Sequence, residues 1–259
     1  IIHGIQLNNK AVGFNYDGEE IIVELPKKYT KDETYTLHIK YTARPEKVTQ
    51  KGSSAITQAK GLYFINANGL DKTKPTQVWT QGETEASSCW FPTIDSPNQK
   101  TSQELTITVP SKYKTLSNGI LEKQTNNANG TRTDYWNFKE KHAPYLFFLG
   151  VGEFEIIKDS YKNIPVEYYV EKKYAPFAKD IFGLTPEMMA FFSKITGVEY
   201  PWSKYSQIVG RDYVSGAMEN TTAVIHGEQA YQMPGQLIDE NIQENTIAHE
   251  LFHHWFGDL

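Results

Sequence analysis

Two textures divide the chain. Up to residue 158 apolar and polar positions alternate: Tyr35, Leu37, Ile39 and Tyr41 are interleaved with Thr36, His38, Lys40 and Thr42, and Leu105, Ile107 and Val109 with Thr106 and Thr108. A period of two is that of half-buried antiparallel strands. Asn129 and Gly130 are suited to the positive φ angles of a tight turn between Gly119–Lys123 and Tyr135–Phe138, which predicts a hairpin. After Tyr161 the period changes. A strand at Val166–Val170 leads into helix signals over Tyr174–Phe182. A further helix is predicted from Thr185 as cap and Pro186 in the first turn, through Met189 and Phe192, to a terminating Gly197. Gln207–Val209 and Thr222–Ile225 read as strands of a small sheet. In the last stretch Ile238, Ile242, Thr246, His249 and His253 follow at three- and four-residue spacings, with Leu251, Phe252, Trp255 and Phe256 on other faces and Gly257 as a stop. The pattern therefore predicts a β-rich unit over residues 1–158 and an α+β unit over residues 159–259.

That last helix carries chemistry. His249, Glu250, Leu251, Phe252 and His253 form HExxH. Helical positions i and i+4 point the same way, so His249 and His253 can place two imidazole nitrogens on one Zn²⁺, with Glu250 turned toward the water that the metal holds. Bound zinc lowers the pKa of its water from about 15.7 toward about 7, and a carboxylate beside it can take the remaining proton as a carbonyl is attacked. Two histidines and a glutamate within a largely buried apolar helix are costly without partners, and a metal satisfies all three. Catalytic zinc takes three protein ligands plus water. A metzincin continuation is excluded, because Phe256 stands where it needs glycine. His254 lies one residue round the helix and reads as a packing histidine. The third ligand, a carboxylate, is expected beyond Leu259.

A second cluster is Gly216, Ala217, Met218, Glu219 and Asn220, spelling GAMEN, followed by the strand-like Thr222–Ile225. GAMEN followed some thirty residues later by HExxHxW resembles the aminopeptidase N family of zinc metallopeptidases, gluzincins whose members include the leukotriene epoxide hydrolase. Thr80, Gln81, Gly82 and Glu83 resemble the family's TQxE segment, Trp90 to Pro97 its PxxDxP-type segment, and Gly257, Asp258 and Leu259 the G(N/D)L after its zinc helix. The resemblance spans most of the chain. It implies a saddle-shaped N-terminal domain of antiparallel sheets followed by the first half, the upper lobe, of an α+β thermolysin-like catalytic domain. It also implies that Glu219 holds the free α-amino group of a peptide with Glu83 sharing it, and that Gln81 borders the pocket for the first side chain. Gly216, Ala217 and Met218 would line an extended substrate. A carboxylate at a fixed distance from the metal restricts cleavage to the first peptide bond. The family's third zinc ligand, a glutamate, and its oxyanion-stabilising tyrosine fall after Leu259, as do the rest of the catalytic lobe and a helical C-terminal domain. Residues 1–259 by themselves are therefore expected to bind zinc poorly and to lack useful peptidase activity.

Composition narrows the alternatives. The 259 residues, 39% hydrophobic and 22% charged, make one large or two ordinary globular domains. A net charge of −5 with no dense Lys/Arg run argues against nucleic acid and suits cationic peptide N-termini. No uninterrupted apolar run approaches the eighteen or so residues of a membrane span. The first residue reads as internal to a longer chain, which leaves the compartment open. Ser88, Cys89 and Trp90, with His226 downstream, echo a thiol hydrolase, but Pro92 and the β texture there disfavour the helix such a nucleophile requires. A non-enzymatic β-rich binding module would account for the 13% aromatic content yet leave HExxH and GAMEN unexplained together. Within the zinc reading, epoxide hydrolysis is the alternative to aminopeptidase activity, since Glu219, His249, Glu250 and His253 suit either.

Overall fold

The computed structural model describes residues 1–48, 52–238 and 240–259. The alternating half of the sequence forms antiparallel sheets. Ile2–Leu7 pairs with Lys10–Ala11 and Leu37–Tyr41 at the periphery. A four-stranded sheet follows the order Leu62–Ile65, Gln77–Thr80, Leu149–Gly152, Lys114–Ser117. A long twisted ribbon is built from Ile120–Asn126, Thr131–His142 and Thr101–Pro110. The expected hairpin is present with longer arms. Its turn has positive φ at Gly130 only (+77°), and Asn129 contributes through its side chain, whose Oδ1 accepts from Thr131 N at 3.2 Å and Thr131 Oγ1 at 2.7 Å.

The chain crosses to a different sheet at Glu153. Phe154–Tyr161 opens a five-stranded mixed sheet ordered Phe154–Tyr161, Ile164–Glu171, Tyr205–Gly210, Ala223–Gly227, Ala217–Met218, in which the two central pairings are parallel and the outer two antiparallel. Helices Ala178–Phe182, Thr185–Thr196 and Glu244–His253 belong to this unit. Thr185 does not act as the cap expected of it: its hydroxyl donates to Phe182 O at 2.7 Å, while Gly197 ends the helix in the left-handed region as expected.

Both faces of the five-stranded sheet are covered. Successive strand residues point to opposite sides, and here the alternation sorts them between two cores. Val166, Tyr168, Val170, Tyr205, Val209 and Val224 pack with Phe182, Met189, Leu251 and Trp255 of the helices. Tyr169, Ile208, Ala223 and Ile225 pack instead with Trp79, Leu116, Trp136, Leu146 and Phe148 of the β-rich unit. All residues of Tyr205–Gly210 and Ala223–Gly227 are buried, as strands covered on both faces must be. The second core is thus shared between the two units.

Polar contacts stitch the same seam. Asn118 Nδ2 donates to Thr221 O at 2.7 Å and to Leu146 O at 2.9 Å, its Oδ1 accepts from Phe148 N at 2.7 Å, and Gly119 N donates to Thr222 Oγ1 at 2.9 Å. Gly119 is at φ +74°, and a Cβ there would lie 2.1 Å from Asn137 O. Gly130 has nearly the same φ with open space around it. Gly119→Ala is therefore expected to cost more than about 2 kcal/mol in urea unfolding and Gly130→Ala about 1 kcal/mol, strain alone. Equal losses would show that the backbone approach at Gly119 yields easily.

Candidate active site

The HExxH segment lies on the helix Glu244–His253. The helix is shorter and less enclosed than its spacing predicts. Ile238 and Ile242, expected as its first two turns, lie outside it and are 82% and 60% exposed. Asn241 interrupts the run: its Nδ2 donates to Ile181 O at 2.7 Å, and its Oδ1 accepts from Gln232 Nε2 at 2.8 Å and Gln243 N at 3.1 Å. From Glu244 onward one face is core. Ile247, Leu251 and Trp255 are buried, Phe192 of the preceding long helix packs on Phe252 and Trp255, and Trp255 Nε1 donates to Val198 O at 2.9 Å. The histidine face stays open.

On that face His249 and His253 bring their Nε2 atoms to 3.1 Å of one another, with the rings 83° apart in plane. Two imidazole nitrogens on one tetrahedral zinc at 2.0–2.1 Å stand about 3.3–3.4 Å apart, so the pair needs only a small adjustment to share a cation. His253 Nδ1 is 3.0 Å from Phe256 O, which only accepts, so Nδ1 carries the proton and Nε2 presents its lone pair. The donor set therefore fits zinc. Among the described residues no third His, Cys, Asp or Glu side chain joins the two imidazoles in a metal cage.

His254 faces the other way, fully buried. Its Nε2 accepts from Thr222 N at 2.9 Å and its Nδ1 lies 3.2 Å from Glu250 O; burial holds the ring neutral, with its pKa down at about 3. Trp202 Nε1 adds a hydrogen bond to His254 O at 2.9 Å.

Glu250 is 6% exposed. Burial pushes its carboxyl up to about 8, with the charges of Glu219 and Glu83 adding to the shift. Glu83 is also raised, by burial first and then by Glu219, against an opposing pull from His253. The fold thus gathers Glu83 of the β-rich unit with Glu219 and Glu250 of the α+β unit beside the two imidazoles. Glu219 disfavours ionisation of Glu83 and Glu250, and Glu83 disfavours that of Glu250, so a cation placed among them relieves both raised carboxyls.

GAMEN occupies the loop and edge strand between Tyr205–Gly210 and Ala223–Gly227. Ala217 and Met218 pair with His226 and Ile225, and this strand forms the border of the sheet. Gly216 O accepts from Gly227 N at 2.9 Å and from Gln229 Nε2 at 2.8 Å, so that carbonyl is already engaged. Antiparallel pairing alternates, so the next residue, Ala217, directs its backbone N–H and C=O to the open side. The Met218 side chain is buried in the shared core. Glu219 is half-buried beside a fully buried Asn220 whose amide atoms have no protein partner. Gln81 is also fully buried; its Oε1 accepts from the Tyr213 hydroxyl, leaving Nε2 unpartnered.

Two neighbours escaped the sequence reading of roles. The Tyr213 ring packs edge-on against Trp79, and its hydroxyl is raised by burial and by Glu250, Glu219 and Glu83. Tyr145, between Pro144 and Leu146, is pushed up to about 12 by burial, then by Glu219, Asp258 and Glu83. Tyr213 stands three residues before Gly216 of GAMEN, whereas no local pattern marks Tyr145.

Two family models match the chain. Residues 3–146 match the Peptidase M1 N-terminal domain and residues 181–259 the Peptidase family M1 domain. Similar proteins include the mitochondrial aminopeptidase 2 of Saccharomyces cerevisiae, 30% identical over 70% of this chain and 19% of that protein. Glutamyl aminopeptidase of Bos taurus is 30% identical over 77% of this chain and 21% of its own length. A probable aminopeptidase 1 of Saccharolobus solfataricus is 25% identical over 100% of this chain and 31% of its own. The chain thus spans about a fifth to a third of these relatives.

The geometry separates the three histidines. In the full-length protein, His249→Ala or His253→Ala is expected to weaken zinc binding at least about 100-fold by competition with a chelating dye, whereas His254→Gln leaves affinity within about threefold and lowers the melting temperature. Loss of zinc on replacing His254 would reverse the assignment.

Proposed function

The chain belongs to peptidase family M1, and on that premise we propose that the full-length protein is a zinc-dependent aminopeptidase that removes the first residue of peptides with a free N-terminus. The observation that carries this reading is the convergence of Glu83, Glu219 and Glu250 beside His249 and His253. His249 and His253 hold the metal, joined by a glutamate expected from a segment following Leu259. When bound, zinc supplies Lewis acidity toward the scissile carbonyl and acidifies water.

The chain's own residues do the rest. Glu219 and Glu83 take the substrate ammonium into a half-buried site where a charge-assisted contact is worth more than in water. Ala217, on the open border of the sheet, offers N–H and C=O to the substrate backbone as an added strand would. Gln81, whose Nε2 amide has no protein partner, borders the pocket for the first side chain. Glu250, whose burial raises its proton affinity above the ordinary carboxylate range, takes a proton from the attacking water and passes it to the departing amine. With two of the three zinc ligands, residues 1–259 alone are expected to have no useful peptidase rate. The remaining catalytic lobe and a helical C-terminal domain are the partners that complete the cleft.

Turnover of aminoacyl p-nitroanilides by the full-length protein tests the roles. Glu250→Gln is expected to lower kcat by about 10²–10⁴ with zinc retained. Glu219→Ala is expected to raise KM for free-amine substrates about 10–100-fold, the loss of one charge-assisted contact. Unchanged turnover in Glu250→Gln would remove it as base, and absence of any aminoacyl hydrolysis by the wild-type protein would end the aminopeptidase reading.

A further inference from the structure

Lys204 precedes the strand Tyr205–Gly210, and its side chain is buried in the seam between the two units. Its Nζ donates to Ser117 O at 2.8 Å on the β-rich side, and to Thr222 O at 3.0 Å and Thr222 Oγ1 at 3.3 Å on the other. The ammonium also lies 5.3 Å from the centre of the Trp136 ring. Carbonyls, a hydroxyl and a ring face are its direct contacts, and burial draws the amine down to about 7 against an opposing pull from the Glu167 charge. Such an arrangement is expensive and persists only where surrounding structure holds it.

What it holds is Thr222. This β-branched residue sits at φ +65°, a backbone region such side chains rarely adopt. Its polar atoms are all engaged: N–H donates to His254 Nε2 at 2.9 Å, O accepts from Ser206 N at 3.0 Å and from Lys204, and Oγ1 accepts from Gly119 N at 2.9 Å and from Lys204. Thr222 comes three residues after Glu219 and grips the helix one residue past His253. The strained joint therefore touches the β-rich unit, the carboxylate loop and the metal helix at once.

We propose that Lys204 and Thr222 are positioning residues, a clamp across the two units that fixes the separation of Glu219 from the imidazole pair and so sets the register in which a peptide's free amine is presented for cleavage. This rests on the aminopeptidase reading and deepens it: the exopeptidase limit comes from the joint at Thr222 as well as from the carboxylates. Strain at a residue with every polar atom engaged is what a geometric stop requires, because a relaxed loop would let Glu219 drift along the substrate.

The test measures kcat/KM of the full-length zinc-loaded protein on an aminoacyl p-nitroanilide and on its N-acetyl counterpart, at a temperature well below each variant's melting point. Thr222→Val keeps the branching and removes Oγ1; Thr222→Ser restores Oγ1; Lys204→Met removes the ammonium. Thr222→Val and Lys204→Met are expected to lose at least about tenfold of the preference for the free amine, through KM, with one zinc per chain retained, while Thr222→Ser stays within about threefold of wild type. Where Lys204→Met does not fold, the Val and Ser pair decides. A wild-type preference in Thr222→Val, or an equal loss on both substrates in Val and Ser alike, overturns the clamp. A wild-type protein with no preference for the free amine overturns the aminopeptidase reading itself.

Discussion

The burial of both faces of the five-stranded sheet is the constraint on which the candidate site depends. Tyr169, Ile208, Ala223 and Ile225 have no core of their own on the side away from the helices, and they find one in Trp79, Leu116, Trp136 and Phe148. Apolar burial is worth about 1.5–3 kcal/mol for each large side chain, so this shared core is a substantial bond between the units. The segment after Gln77–Thr80 brings Glu83 close enough to Glu219 and Glu250 for their charges to interact. Without that packing one carboxylate of the three would be absent.

Electrostatics at the site follow from where the packing stops. The helix Glu244–His253 and the turn after it bury Ile247, Leu251 and Trp255 and leave His249 exposed and His253 partly exposed. Glu250 is caught between these faces, close enough to the core to lose solvent and close enough to Glu219 and Glu83 to feel their charge. Negative charge concentrated beside two imidazoles favours cations placed there. The buried His254 serves a separate purpose: it ties the back of the helix to Thr222 and so to the carboxylate loop.

Much of this was legible from residue order where physics is local. Alternation of Leu105, Ile107 and Val109 identified a strand that is there, and Gly197 and Gly130 marked a helix end and a turn at which the backbone takes positive φ. Local reasoning failed where a neighbour competed. Ile238 and Ile242 continue the helical spacing, but the side chain of Asn241 bonds to Ile181, Gln232 and Gln243 and breaks the run, leaving both isoleucines exposed. Thr185 had the right chemistry to cap, and Phe182 O drew its hydroxyl instead. Met218 belongs to the GAMEN segment, yet the pleat turns it into the shared core, a distinction that depends on which neighbour each face meets.

Sequence alone determined the imidazole pair, because the helical period puts positions i and i+4 on one face whatever surrounds them, and it determined the family through motifs whose spacing is read along the chain. The meeting of Glu83 with Glu219 was expected only through the family resemblance, and it is tertiary packing that brings it about. Glu83 and Glu219 are far apart in sequence, Tyr145 carries no local signal, and the Lys204 ammonium is meaningful only once Ser117 and Thr222 arrive from opposite units. Contacts of that kind are set by the packing of two cores against one sheet, a property of the folded chain as a whole and of no segment within it.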